Sequence, residues 1–558
     1  MGSCHRRQAF VFFDCATRLP CPENLDDPAS SPTMASAKLM RSNRAPRRSG
    51  NSNSNNGKLS SSERSLDPTD WEQARAVAHQ ALDHALDFLQ SVRERPVWRP
   101  VPEAVRRKLM EAFLADPQDL HETLLQFEKL ILPYATGNVH PRFFGWVHGT
   151  GTVAGVLAEM FAATMNSNCG GRDHGAVYVE RGVVEWCKQA FGFPGKASGV
   201  LVSGTSMGTV VALTVARNAT ADWDIRREGL AAISKKLVAY TSQEGHESIA
   251  KALELLGLGH GSLRRIPVDK FFRMDLRQLR AAIACDRAAG FQPFCVIGTA
   301  GTVNTGAIDD LAGLAQIAKQ EQLWFHADGA FGGLCVLSKL LRPRLKGIEL
   351  ADSLAFDFHK WMHVPYDAGC VLVRDGEKHW QTFTTRPSYL QGAERGLSGG
   401  GRWFCEYGPE LSRGFRALKI WFTLKTYGAR ALGESILQNC RQADYLAGLV
   451  RRAPQLELLA PVQLNIVCFR FRPRGLSEPE LDALNENLVE DLHEQGVAAP
   501  STTRIRGRLA VRVNITNHRT RREDLTLLVK AFLEAGRERV GKRRKKVSTG
   551  ALNRTRGK

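Results

Sequence analysis

SLAFDFHKWMHVPYDAG, Ser353 to Gly369, is the stretch whose reading decides the fold. Leu354 to Phe358 is a run of strand-forming residues that stops at His359-Lys360, and Pro365 and Gly369 punctuate the residues after it. That pattern predicts a buried strand delivering a lysine into a loop. Desolvation disfavours an ammonium, so a lysine at such a place is turned toward its neutral form, which attacks carbonyls. Schiff-base formation is the chemistry this predicts.

Upstream, LWFHADGAFGG (Leu323 to Gly333) is a second apolar strand, ending in Asp328 with small residues after it. A carboxylate at a strand end is what a pyridine ring nitrogen requires, because it keeps that nitrogen protonated and lets the ring accept electrons. Lysine and aspartate together suggest pyridoxal 5'-phosphate. In SGVLVSGTSMGTVVALTVARN (Ser198 to Asn218) a strand leads through Ser203-Gly204 into a helical pattern, so Thr205 and Ser206 can offer amides and hydroxyls to a phosphate. In KLVAYTSQEGHESIAKAL (Lys236 to Leu253) His246 follows a third strand, where its imidazole can lie flat on a pyridine ring. Each piece alone also has a plain reading: a solvated strand-end lysine, a capped helix, a surface histidine.

Taken in order, these blocks resemble the group II pyridoxal-phosphate-dependent amino-acid decarboxylases, the family of the aromatic-L-amino-acid, glutamate and cysteine-sulfinate decarboxylases. The likeness runs from about Asp70 to Glu534 and includes HPRFFGWV at His140 to Val147 and GFRALKIWFTLKTYG at Gly414 to Gly428. It implies that Lys360 forms the Schiff base, Asp328 partners the pyridinium nitrogen and His246 stacks on the ring. Thr205 and Ser206 would hold the phosphate, with Thr302 and His359 in the cofactor's surroundings. Tyr389, in RPSYL, matches a mobile-loop tyrosine that protonates the reaction intermediate. Arg512, in LAVRVNITN, matches an arginine that in some members meets the substrate carboxylate, and Trp146 and His148 fall where the substrate pocket is expected. One departure is Asp357-Phe358 before His359-Lys360, where the family commonly reads Asn-Pro. Arg172 and His174 would welcome an acidic substrate if they face the pocket, whereas Trp146 favours an aromatic one.

The fold expected is α/β, of the aminotransferase-like fold type I of pyridoxal-phosphate enzymes, with a mainly parallel sheet. Residues 147–428 form the large cofactor-binding domain, 429–536 a smaller α+β domain, and 66–146 a helical arm that in the family packs on a second subunit, implying a homodimer. Strands are predicted at Gly199–Val202, Leu237–Tyr240, Phe294–Thr299, Leu323–His326, Leu354–Phe358 and Cys370–Arg374. Arm helices are predicted from Asp70, over Glu103–Leu114 and over Pro117–Leu130. In the small domain, strands are predicted at Asn465–Arg472 and Ala510–Ile515 and helices over Pro479–Glu494 and Arg522–Ala535.

With 558 residues the chain is long enough for two or three such domains. Its formal charge of +19 sits mostly in the tails, where ten basic residues face five acidic ones in 1–65 and ten face one in 537–558. Both tails read as disordered, so nucleic acid is not an expected partner. The apolar run Ala9 to Phe13 is too short for a signal peptide, and no run approaches membrane-spanning length. The twelve cysteines are scattered without a C-x-x-C pair, which suits reduced thiols in the cytoplasm. No metal is expected, because His326, Asp328, His359 and His363 lack ligand spacing. The reaction implied is decarboxylation of an L-amino acid to its amine. The rivals are a carbon–carbon lyase or aldehyde synthase on the same cofactor, and a non-catalytic basic binding protein on this scaffold.

Overall fold

The computed structural model describes residues 65 to 555 except 114, 222, 223, 233 and 386 to 392, with the backbone alone from 543 onward. Tyr389 therefore lies outside the described residues, as does the N-terminal tail through residue 64. The chain divides after Asp67, and every helix and strand named here belongs to the unit that begins at Pro68.

The arm opens with helix Trp71–Gln90, whose first turn is fixed by Asp70 accepting the N–H groups of Glu72 and Gln73. The second helix is shorter than its sequence pattern, Glu103–Leu109. None of its residues is buried, so no packing extends it. The third begins at Leu120 and not at Pro117, because the Asp119 carboxylate accepts from His121 and Glu122 and sets the start.

Strands follow in chain order: β1 (Phe143–Phe144), β2 (Ser198–Val202), β3 (Leu237–Ser242), β4 (Leu263–Ile266), β5 (Gln292–Thr299), β6 (Trp324–Asp328), β7 (Ser353–Asp357), β8 (Gly369–Val373), β9 (Leu456–Leu458), β10 (Ile466–Phe471), β11 (Ala499–Ile505) and β12 (Arg508–Asn514). The large sheet has the order β2-β8-β7-β6-β5-β3-β4. Neighbours from β7 through to β4 are parallel, and β8 is antiparallel to both β7 and β2. Continuous apolar runs suit this setting. Phe294, Cys295, Val296 and Ile297 of β5 have no exposed surface, as expected of a strand covered on both faces. The arrangement is a mixed α/β fold with a mainly parallel central sheet, as the sequence pattern predicts.

β4 was not legible in advance, since its sequence LRRI carries two arginines and it forms the edge of the sheet. The small sheet, β1-β11-β12-β10-β9, has three further strands that the pattern hides, the two-residue β1, β9 and the Thr-rich β11. β1 pairs in parallel with β11, Phe143 opposite Ala499, so the stretch leading to Trp146 and His148 is tied to the small sheet. Helix Arg416–Arg452 joins the two regions and breaks at Gly428, whose φ of 72° leaves the helical region. Trp361, fully buried one residue after Lys360, donates its indole N–H to Asn439 on that helix at 2.9 Å.

The last helix runs Arg522–Thr555, past the Ala535 at which its apolar pattern ends. The backbone read from sequence as a disordered basic tail is thus helical as far as Thr555. Its many lysines and arginines are good intrinsic helix formers even where nothing apolar needs covering. Among the described residues no helix is long and apolar enough to cross a membrane.

Candidate active site

Parallel strands point their carboxyl ends the same way, so the residues that follow them meet at one edge of the sheet. The loops after β2, β3, β5, β6 and β7 bring Thr205, Ser206, Glu244, His246, Thr299, Asp328 and Lys360 around a cavity of about 230 Å³, closed on another side by Trp146, His148 and Val303. Residues as distant in sequence as Trp146 and Lys360 become neighbours by this topology alone.

Lys360 lies on a one-turn helix, Phe358–Trp361, directly after β7. Its Nζ is 2.8 Å from Oδ2 of Asp357. Burial opposes the ammonium, but the carboxylates of Asp357 and then Asp328 outweigh it and raise the lysine pKa above its ordinary value. Desolvation alone, as read from the sequence, therefore predicts the wrong sign: an acid three residues upstream keeps the charge on. Asp357 is itself 2% exposed, and its other oxygen accepts the backbone N–H of Thr205 at 2.7 Å.

Asp328 ends β6 with its carboxyl buried, and the N–H of Ala330 at 3.1 Å is its backbone partner. Burial raises its pKa, against the opposing pull of that N–H, Lys360 and His246. His246 is oriented by Ser248. Its Nδ1 accepts the Ser248 backbone N–H at 3.2 Å and lies 2.8 Å from the hydroxyl, so the neutral ring carries its proton on Nε2.

Also at the cavity, helix Thr205–Thr220 presents its N-terminus. Thr205 Oγ1 is buried there without a hydrogen-bond partner, a hydroxyl waiting for a ligand. Gly204 and Gly369 let the chain close tightly at this point, since a Cβ on Gly369 would stand 2.6 Å from the Gly204 Cα and 2.9 Å from Asp357 Oδ1. Anion-binding groups at a helix N-terminus, a buried acid and a lysine amine form a donor set that fits pyridoxal 5'-phosphate.

Three residues carried by the resemblance stand outside the cavity wall. Thr302 is fully buried and spends its hydroxyl on Thr305 at 3.0 Å and on the N–H of Ala307. His359 sits behind Asp357, with Nε2 3.7 Å from that carboxylate and Nδ1 accepting the N–H of Ala368. Arg512, on β12, donates to the carbonyls of Val303 and Trp146 at 2.7 and 3.1 Å, so it braces two wall residues from behind. Its Nη2 is buried without a partner, and burial brings its pKa down to about 10.

Trp146 and His148 do line the cavity, their rings stacked with centroids 5.7 Å apart. Burial, with help from the Lys360 charge, lowers the His148 pKa. Arg172 and His174 do not line it: the Arg172 guanidinium faces Trp403, and His174 bonds the Asn168 carbonyl. Sequence reasoning missed two acids that matter. Asp357 was signalled by its place at a strand end three residues before the lysine, and Glu244 by its place in the histidine block. Glu244 lines the cavity, accepts from Asn304 Nδ2 at 3.1 Å and has its pKa raised by burial.

Residues 102–472 match the pyridoxal-dependent decarboxylase conserved domain. The chain belongs to the pyridoxal-dependent decarboxylase family. It is 35% identical over 470 residues to an aromatic-L-amino-acid decarboxylase of Bacillus atrophaeus, covering 83% of this chain and 96% of that one. It is 28% identical to a phenylacetaldehyde synthase of Arabidopsis thaliana, over 81% of this chain and 93% of that protein. Among solved structures it resembles Oryza sativa TDC with PLP and tryptamine, with a TM-score of 0.78, 26% identity, and coverage of 85% and 99%. As a pyridoxal-dependent decarboxylase, this family member is a lyase whose cofactor is pyridoxal phosphate.

Proposed function

We propose that this decarboxylase removes the α-carboxyl group of an L-amino acid as CO2 and releases the corresponding amine. The observation that carries the reading is the convergence of Lys360, Asp328, His246 and the Thr205–Ser206 helix terminus on one cavity. When bound, the cofactor supplies an electron sink for the pair left by the departing carboxylate. Lys360 would present its amine to the cofactor aldehyde, and Asp357 Oδ2, at 2.8 Å, holds that amine as ammonium until the cofactor arrives. Asp328 would hold a proton at the ring nitrogen, and His246, fixed by Ser248, would cover the ring face. Thr205 and Ser206 would bind the phosphate, His359 and Thr302 would support the two loops around it, and Tyr389 would supply the proton to Cα.

A second outcome on the same residues is aldehyde formation, in which O2 takes the two electrons from Cα and leaves as hydrogen peroxide while water releases the amine as ammonia, and the similarity to phenylacetaldehyde synthase favours it. Product analysis by mass spectrometry over a panel of L-amino acids separates the two. An amine lighter than its parent by CO2 supports the decarboxylase, whereas an aldehyde with ammonia supports the synthase.

We also assign the protein to the cytoplasm as a homodimer. The arm leaves Trp71, Met110, Phe113 and Phe127 exposed, apolar surface that a second copy would cover. Static light scattering at the mass of two chains is the expected result. The nine described cysteines are all free, eight of them at least partly buried, which suits a reducing compartment.

A further inference from the structure

We infer that Glu244 selects the substrate, admitting L-amino acids whose side chain is basic and turning away acidic ones. This rests on the reading that the cavity takes an amino acid. Glu244 stands in the cavity wall after β3, two residues before His246. Its Oε2 accepts one hydrogen bond, from Asn304 Nδ2. The Asn304 amide is itself fixed, because its Oδ1 accepts from Thr503 Oγ1 at 2.8 Å, leaving Nδ2 to face the glutamate. Among the described residues no Lys, Arg or His forms an ion pair with Glu244. The nearest basic residue along the adjoining strand, Arg265, is taken by Glu247 and the Gly245 carbonyl. Burial lifts the Glu244 pKa, the signature of a carboxylate whose charge is poorly compensated.

Three acids and one lysine are grouped at this end of the sheet, and all but one have a use in binding the cofactor. Asp328 would meet the ring nitrogen, while Asp357 and Lys360 hold each other. Glu244 is the charge left over. An amino acid entering the cavity commits its α-amino group to the cofactor, and its α-carboxylate is repelled by Glu244. The side chain is then the part that approaches the glutamate. A basic side chain supplies the missing counter-charge, and an acidic one adds a second unpaired carboxylate. Two other lining residues agree. Trp146 and His148 offer stacked ring faces suited to a planar cation, and His148 is pushed toward its neutral form, so it gives an acidic side chain no cation to meet. Arg172 and His174, the residues that would have welcomed an acid, are engaged elsewhere.

The test uses the protein loaded with pyridoxal phosphate, as wild type and as Glu244→Gln, which keeps an acceptor for Asn304. L-Histidine, L-lysine, L-phenylalanine and L-glutamate are each titrated while the absorbance of the bound cofactor is followed, and amine release is measured in parallel. The expected result is that histidine or lysine binds at least about tenfold more tightly than phenylalanine and glutamate, and that Glu244→Gln removes this advantage while phenylalanine binding changes less than about twofold. Equal weakening of all four ligands by the variant, or wild-type preference for glutamate, overturns the inference. Because selection is read from binding, absence of amine with the expected binding pattern would remove the decarboxylase reading and leave Glu244's role standing. Amine release without discrimination would do the reverse.

Discussion

Asp357 reaches Lys360 Nζ with one carboxylate oxygen, at 2.8 Å, and the backbone N–H of Thr205 with the other, at 2.7 Å. One side chain thus links the lysine to the helix terminus proposed for the phosphate. The pairing raises the lysine pKa above its ordinary value, so at neutral pH the amine is held as ammonium. Attack on an aldehyde requires the neutral amine, and the rate of covalent cofactor attachment should therefore rise with pH. Asp357→Asn keeps an acceptor for Thr205 and removes the charge. Its attachment profile should shift to lower pH by about one unit or more, about 1.4 kcal/mol of lost ammonium stabilisation per unit. Stopped-flow absorbance of apoprotein mixed with pyridoxal phosphate across pH measures this. Superimposable profiles would detach Asp357 from the control of Lys360.

Asp328 separates stability from function. Burial raises its carboxyl pKa, so above the unfolded carboxyl's range the native state binds more protons than the unfolded state, and stability falls as pH rises through that interval. Asp328→Asn replaces a poorly solvated charge by a neutral amide of the same shape. The apo variant should melt at or above the wild-type temperature at pH 7 to 8, while kcat falls by about 100-fold or more because the ring nitrogen loses its acid partner. A lower apo melting temperature with retained kcat would make Asp328 a structural residue.

Thr205 Oγ1 is buried with nothing to bond, which costs the apoprotein and benefits a ligand. Thr205→Val deletes that hydroxyl and keeps the volume and the backbone N–H. The melting temperature of the apoprotein should hold or rise. The dissociation constant for pyridoxal phosphate should increase by roughly 10- to 150-fold, as for loss of a hydrogen bond to a charged group worth about 1.5–3 kcal/mol. Unchanged cofactor affinity in an equilibrium titration would place the phosphate elsewhere.

Much of this site was readable because each strand that delivers a functional residue is an apolar run with an abrupt polar end. Leu354 to Phe358 before Lys360, and Leu323 to His326 before Asp328, announce themselves by composition. β4 and β11 do not, since edge strands with arginines or threonines lack that contrast. Asp357 looked like a mere departure from a motif because its two partners depend on a one-turn helix and on a helix terminus 152 residues earlier. Glu244 was invisible for a similar reason: spacing does not say which residue of a loop faces a cavity. Arg512, Thr302 and His359 matched by position, but packing puts each behind the wall and not in it.

The contact between Gly204 and Gly369 gives the last test. Gly369 begins β8, and its absent side chain leaves room for the Gly204 backbone and for Asp357 at the same point. A methyl group there would lie 2.6 Å from the Gly204 Cα and 2.9 Å from Asp357 Oδ1, both well inside van der Waals contact. Backbone on one side and a doubly bonded carboxylate on the other leave little freedom to yield. Gly369→Ala should therefore destabilise the protein by about 1–3 kcal/mol through overpacking. It should also weaken cofactor binding by more than the same loss of stability does elsewhere, because the group displaced is the one that joins Thr205 to Lys360. Gly376→Ala supplies the comparison, since its Cβ would meet the Lys196 carbonyl at 2.6 Å without touching the cavity residues. Calorimetry gives the stability of each variant and an absorbance titration the cofactor affinity. Equal affinity losses in the two variants at matched stability would show that the Gly204–Gly369 approach serves packing alone.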